Sequence, residues 1–505
     1  MKRRAFTKML ALSGASLSVR SNWTTRLPGS SSPPVLPDIY DNNHSLAVCI
    51  NSRYSFHGGY STATTPEIIA NTLWATARTP PIASERTVYI ALPDNLYRYR
   101  FENEKHLLEI HLNGDKRTEA ATAFEIGVAT NPADAAEDAG AALHWAQLES
   151  VAFWNNRSNQ PACCPKDSAT SDANSTWRPS SEIHLVNCFG QTNSVAGLVT
   201  DCVAISSDGT LPAPAVDDNG ISLEAAMRHP LFGTTFTDKD LTLPQISQIL
   251  WAAYGSTPHS IGTTTGTSVA SWNAKYFLTG RIYLVSSAGV QKFQTRSSSG
   301  ALSSRDHRLE TVSGNDCRTA LRQTLARLPQ SAPVYIIFCG SEITREQRIE
   351  AGYCGSGALL QATALGIQGH YCALFTPEER SAIQQVCGIS SNDQPLLVFS
   401  AGHPSGTDTG SQRTIRPEHL FYASAAPNPF VNTTRITMTS DLSGPVTVRF
   451  FNQAGKLLRS MVVTRSSGTL HWDGRDRHGR VLPPGIYTCT LESPTGKTAL
   501  RIIKQ

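Results

Sequence analysis

Apolar residues recur at helical spacing in two distant segments that resemble each other. In "LTLPQISQILWAAYG" (241–255) they recur every three or four positions, on one face of a helix: Leu243, Ile246, Ile249 and Leu250. "STATTPEIIANTLWATARTP" (61–80) repeats the pattern, and its Trp74 corresponds to Trp251 at an offset of 177 in the numbering. The pattern predicts two amphipathic helices in equivalent places of two halves of the chain.

Period-2 alternation follows each of these helices. "RTVYIALPDNLYRY" (86–99) and "GRIYLVSSAGVQKF" (280–293) each predict a β-hairpin, and they correspond at an offset of 194. Gly- and Ala-rich helices and late apolar strands match at an offset of 212, as in "EIHLVNCFGQ" (182–191) and "PLLVFSAGHP" (395–404). These ordered matches indicate a tandem duplication. Helices interleaved with antiparallel strands predict the α+β class.

Length and charge narrow the possible partners. A chain of 505 residues suggests two to four domains, and 40% apolar content allows a sizeable core. The net charge of +4 is small and no basic stripe with aromatics occurs, which disfavours nucleic-acid binding. No stretch approaches the roughly 18 apolar residues that a transmembrane helix needs. We expect no nucleic-acid partner and no transmembrane segment.

The N-terminus has the order of an export signal. "MKRRAFTKMLALSGASLSV" places basic residues before a short apolar stretch, without an acidic residue. Arg3-Arg4-x-Phe6-x-Lys8 resembles the twin-arginine signal; a disordered basic tail is the alternative. We expect residues 1–25 to direct export, and the protein to lie in the periplasm, on the cell surface or in the medium. Residues 26–42, rich in Pro and Ser, are a predicted linker.

The cysteines do not form a metal-binding or thioredoxin-type pattern. Eleven cysteines are scattered without a C-x-x-C pair. We expect most of them to be buried thiols. An exported chain can form disulfides, but their connectivity cannot be deduced from the sequence.

The last 80 or so residues alternate in short runs separated by turns, which predicts a β-sandwich over 425–505. The segment resembles the flagellar-hook-capping Ig-like domain, which also occurs as a C-terminal sorting domain. The residues that carry the resemblance are Asn428-Pro429-Phe430, Trp472–Asp476 and Pro484–Tyr487. The resemblance implies contact with secretion machinery or the cell surface.

Residues 43–418 resemble the nitroreductase superfamily, particularly its azoline-dehydrogenase-like branch. The resemblance is carried by "LTLPQISQILWAAYG", the hairpin ending "YRY", "IEAGYCGSGALLQATALGIQG" and "PLLVFSAGHP". It implies two halves, 43–205 and 206–418, that fold against each other as an internal pseudo-dimer. It also implies flavin mononucleotide (FMN) between them, with an electron donor and a small-molecule substrate of unknown identity.

The family's phosphate-binding element, Arg-Arg-Ser-x-Arg, has counterparts here. In "SRYSFHGGY" the resemblance implies FMN binding by Arg53, Ser55 and His57; a capped helix entry is the alternative. In the second half, "MRHPLFGTTF" keeps Arg228 but has Phe232 in place of the last cation. A phosphate dianion requires such cations and hydrogen-bond donors.

The family's other two elements are distributed unequally between the halves. The loop after the Trp helix is 17 residues shorter in the first half, so Ser271 and Asn273 of the second half would complete the site of the first. The Gly-rich segment that lies against the flavin ring is "ALGIQG" in the second half, with Gly366 and Gln368, but "VAFWNN" in the first.

Two functions follow from the resemblance. One is an exported FMN-dependent oxidoreductase with at most one intact flavin site between the halves. The other is a flavin-free relative that acts as a cell-surface binding or structural module. The deleted loop and the bulky Phe153-Trp154 in "VAFWNN" favour the second.

Overall fold

The computed structural model describes most of the chain. The described residues are 33–42, 44–56, 61–119, 121–131, 135–153, 160–192, 203–204, 209–216, 220–261, 264–296, 304–405, 422–426, 428–439, 445–452, 456–463, 469–493 and 496–505. Residues 33–405 are called the body below, and residues 422–505 the tail.

The body contains two successive sets of elements. The first set comprises α1 Leu46–Ser52, α2 Pro66–Arg78, β1 Glu85–Ala91, β2 Asn95–Glu102, β3 Lys105–Asn113, β4 Phe124–Asn131, α3 Ala136–Ala152, β5 Gln160–Lys166, α4 Asp167–Thr176, β6 Ile183–Thr192 and β7 Val203–Ala204. The second comprises α5 Leu223–Arg228, α6 Leu243–Tyr254, β8 Ser256–Ile261, β9 Thr264–Thr267, β10 Ile282–Ser286, β11 Gly289–Arg296, β12 Ser304–Ser313, α7 Arg318–Thr324, β13 Val334–Gly340, α8 Arg345–Ala364, β14 Gln368–Ala373, α9 Pro377–Cys387 and β15 Gln394–Gly402.

The two main sheets of the body have the same strand order. The first runs β3-β2-β1-β4-β6-β5. The second runs β12-β11-β10-β13-β15-β14, with β7 of the first set added at the edge beside β12. Both predicted hairpins, β1–β2 and β10–β11, are present and antiparallel. The body therefore has α+β architecture, as predicted, in two topologically equivalent halves.

Sequence signals explain where the helices begin. The hydroxyls of Ser45 and Ser222 accept backbone N–H bonds at the starts of α1 and α5. Thr242 and Gln245 form a capping box at the start of α6, with Pro at the first turn. The helices that follow bury their apolar faces, and the side chains of Trp74 and Trp251 lie within the shared core.

The halves meet through reciprocal contacts. The N–H of Leu46 donates to the carbonyl of Ile221 at 2.9 Å, and the N–H of Leu223 donates to the carbonyl of His44 at 3.0 Å. Leu223 and Ile221 are related to their first-half counterparts by the same offset as the Trp helices, so this is one contact made twice, once in each direction. Helices α3 and α8 pack against each other, and one apolar core extends through both halves.

The tail is a separate β-structure. It contains β16 Tyr422–Ala426, β17 Thr434–Thr439, β18 Val446–Asn452, β19 Leu457–Val463, β20 Thr469–Trp472, β21 Gly485–Ser493 and β22 Gly496–Lys504. They form a sheet of order β16-β17-β20 and a sheet of order β19-β18-β21-β22. Trp472 is fully buried between them and stacks on Phe450 at 4.3 Å between ring centroids. In the part of the chain that the structure describes, no helix has the length and apolarity to cross a membrane.

Candidate functional site

Arg53 joins the two halves through backbone carbonyl groups. It follows α1 and is 2% exposed. Its Nε donates to the carbonyl of Ser268 at 3.0 Å, and its Nη2 donates to those of Thr267 and Val269 at 3.0 and 3.1 Å. Its Nη1 donates to Ser55 Oγ at 3.2 Å. The guanidinium therefore fixes the loop of the second half that follows β9.

Four of the predicted site residues surround one small cavity at this junction. Arg53 and Ser55 of the first half and Ser271 and Asn273 of the second line it, together with Pro165, Ala270, Ala274 and Tyr276. The sequence predicted this pairing across the halves, and the structure brings the four residues together. The cavity volume is about 20 Å³, which is room for about one water molecule.

Ser271 already has partners within the protein. Its Oγ donates to the carboxylate of Glu350 in α8 and accepts the N–H of Tyr276 at 2.7 Å. Glu350 also accepts the N–H of Leu278 at 3.0 Å. This carboxylate therefore fixes the loop between α6 and the second hairpin.

The first half has an equivalent carboxylate. Asp138 corresponds to Glu350 at the offset that relates the two long helices, and it accepts the N–H groups of residues 82–84 at 2.7, 2.8 and 3.0 Å. Burial raises the pKa of Asp138, and the charge of Arg86 opposes that rise. Both halves thus use an acid on the long helix to anchor the loop before the hairpin, and the shortened first-half loop retains this anchor.

Arg228 lies against α2 rather than in the cavity. Its guanidinium carbon is 5.5 Å from the centre of the Trp74 ring, a cation–π contact. Its carbonyl accepts a hydrogen bond from Arg78. In the structure, Arg228 therefore packs against α2 and does not line the cavity.

A buried acid pair lies near Arg228, and no sequence pattern indicated it. Burial and the charge of Asp41 raise the pKa of Glu224 to about 8. Burial and the charge of Glu224 raise the pKa of Glu149 well above its usual range, and Arg228 opposes that shift. Asn42 donates its N–H and its side-chain amide to Glu224 at 3.0 and 2.8 Å. The pair therefore holds the segment that leads into α1.

Gly366 and Gln368 also have structural roles. Gly366 adopts φ +69° where α8 ends, a conformation that glycine adopts without a Cβ clash. The side chain of Gln368 donates to the carbonyl of Thr235 at 2.9 Å. Phe232, in place of the family's cation, stacks on His370 at 5.1 Å. The segment around Phe232 covers the edge of β14, where Gly369 forms two backbone hydrogen bonds with it.

Two residues named in the sequence analysis, His57 and Trp154, lie outside the described residues. Phe153 is described, and its ring centroid lies 6.1 Å from that of Tyr40.

Two polar side chains of α3 are buried without a hydrogen-bond partner among the described residues. Both ring nitrogens of His144 and both amide atoms of Gln147 are unpaired there. Burial, together with the charge of Arg53, lowers the pKa of His144 to about 3. In the sequence, His144 and Gln147 are the two polar residues of the otherwise apolar stretch "AALHWAQL" (141–148), which is the signal that could have identified them.

The donor set does not fit FMN. The guanidinium N–H groups of Arg53 are directed at three carbonyls and Ser55, and Ser271 and Gln368 each donate to a protein acceptor. The cavity beside Arg53 has the volume of a water molecule, far below that of a tricyclic ring. Within the described ranges, no group of three His, Cys, Asp or Glu side chains could hold a metal ion.

Comparison with known proteins gives a family match for the tail only. The sequence model of the FlgD Ig-like domain matches residues 429–497. No curated protein matches the chain.

Comparison with solved structures gives matches at low identity, two of them to proteins described as nitroreductases. A protein of Anabaena variabilis ATCC 29413 described as a nitroreductase is 12% identical, with TM-score 0.49, over 76% of this chain and 96% of that one. One of Ralstonia eutropha JMP134 is 18% identical, with TM-score 0.32, over 42% and 99%. Dimeric latent PorU of Porphyromonas gingivalis is 20% identical, with TM-score 0.17, over 23% and 11%. The chain thus combines an α+β body, whose structural neighbours are nitroreductase-fold proteins, with a tail similar to the FlgD Ig-like domain.

Proposed function

We propose that the body is a flavin-free relative of the nitroreductases that acts as a binding or structural module outside the cytoplasm. The arrangement of Arg53 carries this proposal. A phosphate must be held by N–H donors, and those of Arg53 are directed at backbone carbonyls of the opposite half. A phosphate would have to displace the hydrogen bonds that Arg53 donates to three buried carbonyl groups.

The proposal includes the origin of the body by tandem duplication of one nitroreductase-type unit. The equal strand order of the two sheets supports it. The reciprocal backbone contact between the halves supports it independently. We also propose that the duplicated unit came from the azoline-dehydrogenase-like branch of that superfamily. This part of the proposal rests on the sequence resemblance alone.

A flavin titration tests the loss of the cofactor. The full chain is incubated with excess FMN, passed through a desalting column and examined by visible absorption. We expect no flavin band in the protein fraction, as for a control run of FMN without protein. Retention of one FMN per folded chain would overturn the proposal.

A second candidate function is an FMN-dependent oxidoreductase with one site between the halves. The convergence of Arg53, Ser55, Ser271 and Asn273 on one cavity favours it. The titration separates the two candidates. If the protein is the oxidoreductase, the natural chain retains FMN and the Arg53→Ala variant does not; if it is the flavin-free module, neither chain retains FMN.

Export is the remaining part of the proposal. The basic, then apolar, N-terminus supports it, and so does the Ig-like tail. In cell fractionation, we expect the natural chain outside the cytoplasm and the Arg3→Lys, Arg4→Lys double variant inside it. Unchanged export of the double variant would exclude the twin-arginine route, and cytoplasmic retention of both chains would exclude export.

A further inference from the structure

Two cysteine thiols meet on the outer layer of the second half. Cys317 precedes α7 and Cys387 is the last residue of α9. Their sulfur atoms lie 3.7 Å apart, although the residues are separated by 70 positions in the chain. Both belong to the apolar cluster between these helices and the second sheet. α7 and α9 pack directly against each other, so their contact fixes the distance between the thiols.

We propose that Cys317 and Cys387 are a disulfide-forming pair that links α7 to α9 when the protein meets an oxidising disulfide. A disulfide requires sulfur atoms about 2.05 Å apart. The sulfurs have to approach each other by roughly 1.7 Å, a distance that a change of side-chain rotamer covers. The pairing depends on the contact between α7 and α9 and not on the proposed loss of flavin.

The chemistry is a two-step thiol–disulfide exchange. The Cys317 thiolate attacks a small disulfide RS–SR, so a mixed disulfide forms and one RS⁻ leaves. Cys387 then loses its proton, its sulfur attacks Cys317 in the mixed disulfide, and the second RS⁻ leaves. Two cysteine thiols are oxidised and one disulfide is reduced to two thiols.

The surroundings assign the order of the two steps. Cys317 is 9% exposed and Cys387 is 1% exposed, so the oxidant reaches Cys317 first. The hydrogen bond with Cys387 lowers the pKa of Cys317 and raises that of Cys387. The more accessible thiol is thus also the more readily ionised one, which makes it the attacking group.

A third thiol provides a matched control. Cys339 is fully buried in the same cluster as the pair. Burial raises its pKa well above the usual range, so it stays protonated and inert.

Oxidised glutathione tests the pair in the full-length protein. After treatment, we expect a peptide pair linked through Cys317 and Cys387, with a mass about 2 Da lower than the reduced pair. The melting temperature should rise by about 5 °C, because the cross-link closes a long loop in the unfolded chain. Cys317→Ser should lose both effects, and Cys339→Ala should keep them.

Two results would overturn the proposal. One is alkylation of both Cys317 and Cys387 in the oxidised, subsequently denatured protein, which would show that no bond had formed. The other is a disulfide that joins either residue to a different cysteine. If Cys317→Ser does not fold, Cys387→Ala provides the same comparison.

Discussion

Gly140 of α3 and Gly352 of α8 make the same contact in opposite directions. A Cβ atom on Gly140 would lie 2.2 Å from the carbonyl oxygen of Ile349, and one on Gly352 would lie 2.0 Å from that of Glu137. The numbering offset between the two glycines equals that between Glu137 and Ile349. The crossing point of the two long helices is therefore a local two-fold axis, where only hydrogen fits between the backbones.

Gly352→Ala should destabilise the body by about 3 kcal/mol, because its methyl group would collide with a backbone atom that cannot rotate away. Chemical denaturation of the full chain measures the change. Gly314→Ala is the control, since a Cβ there would meet no atom within 4 Å. Equal stability of the two variants would show that α3 and α8 do not cross as described.

Arg53→Ala should also reduce the free energy of unfolding by about 3 kcal/mol, since it removes three hydrogen bonds to buried carbonyls. Arg53→Lys should recover only part of the loss, because an ammonium group lacks the guanidinium geometry that reaches three carbonyls. Arg100→Ala, at an exposed ion pair with Glu102, should change stability little. An unchanged free energy of unfolding in Arg53→Ala would contradict the structural role of this residue.

Glu224→Gln should change the dependence of stability on pH. The folded state raises the pKa of Glu224 from 4.5 to about 8. Protonated Glu224 makes its full contribution to the free energy of unfolding below about pH 4.5, and this contribution is lost as the pH rises through about 8. The variant should stay within about 1 kcal/mol of the natural protein at pH 5 and exceed it by several kcal/mol at pH 9.

Urea denaturation at the two pH values measures this difference. The charges of Asp41 and Glu149 act on Glu224, and both residues remain in the variant. Glu310→Gln, at an exposed position, is the control that should show no pH-dependent gain. A variant less stable than the natural protein at pH 9 would show that ionised Glu224 stabilises the fold.

Trp472→Ala should destabilise the tail without destabilising the body. The side chain is fully buried and its Nε1 donates to the carbonyl of Arg475 at 3.2 Å. Its removal should cost the tail about 3–5 kcal/mol. The cores of the body and the tail share none of the described residues. Calorimetry should therefore show a lower melting temperature for the tail and an unchanged one for the body. Val462→Ala, at an exposed position of the tail, should change neither melting temperature.

The sequence was sufficient for the α+β class and the two hairpins, because helical and alternating periodicity encode these elements. The match of "GDKRTEA" to "NDCRTAL", at an offset of 201, corresponds to two equivalent turns: Arg117 pairs with Asp115, and Arg318 pairs with Asp316. The predicted hairpins are present for the same reason. The boundary between the halves near residue 205 stays a prediction.

The candidate site was harder to predict, because residue type does not determine where a side chain points. The sequence motif "RYSFH" singled out Arg53 and Ser55, which line one cavity with Ser271 and Asn273 in the structure. The motif could not show that three carbonyls of a distant loop would accept hydrogen bonds from the Arg53 guanidinium. Nor could it show that Glu350, whose anchoring role requires the folded loop, would accept the Ser271 hydroxyl.

The paired hydrogen bonds of Leu46 with Ile221 and of Leu223 with His44 have an evolutionary consequence. In a homodimer, one mutation appears on both sides of the symmetry axis, so neither side can diverge alone. Under the proposed tandem duplication, a single polypeptide removes that restriction, because each copy is encoded separately. Here one side can specialise or decay while the other keeps the shared architecture intact.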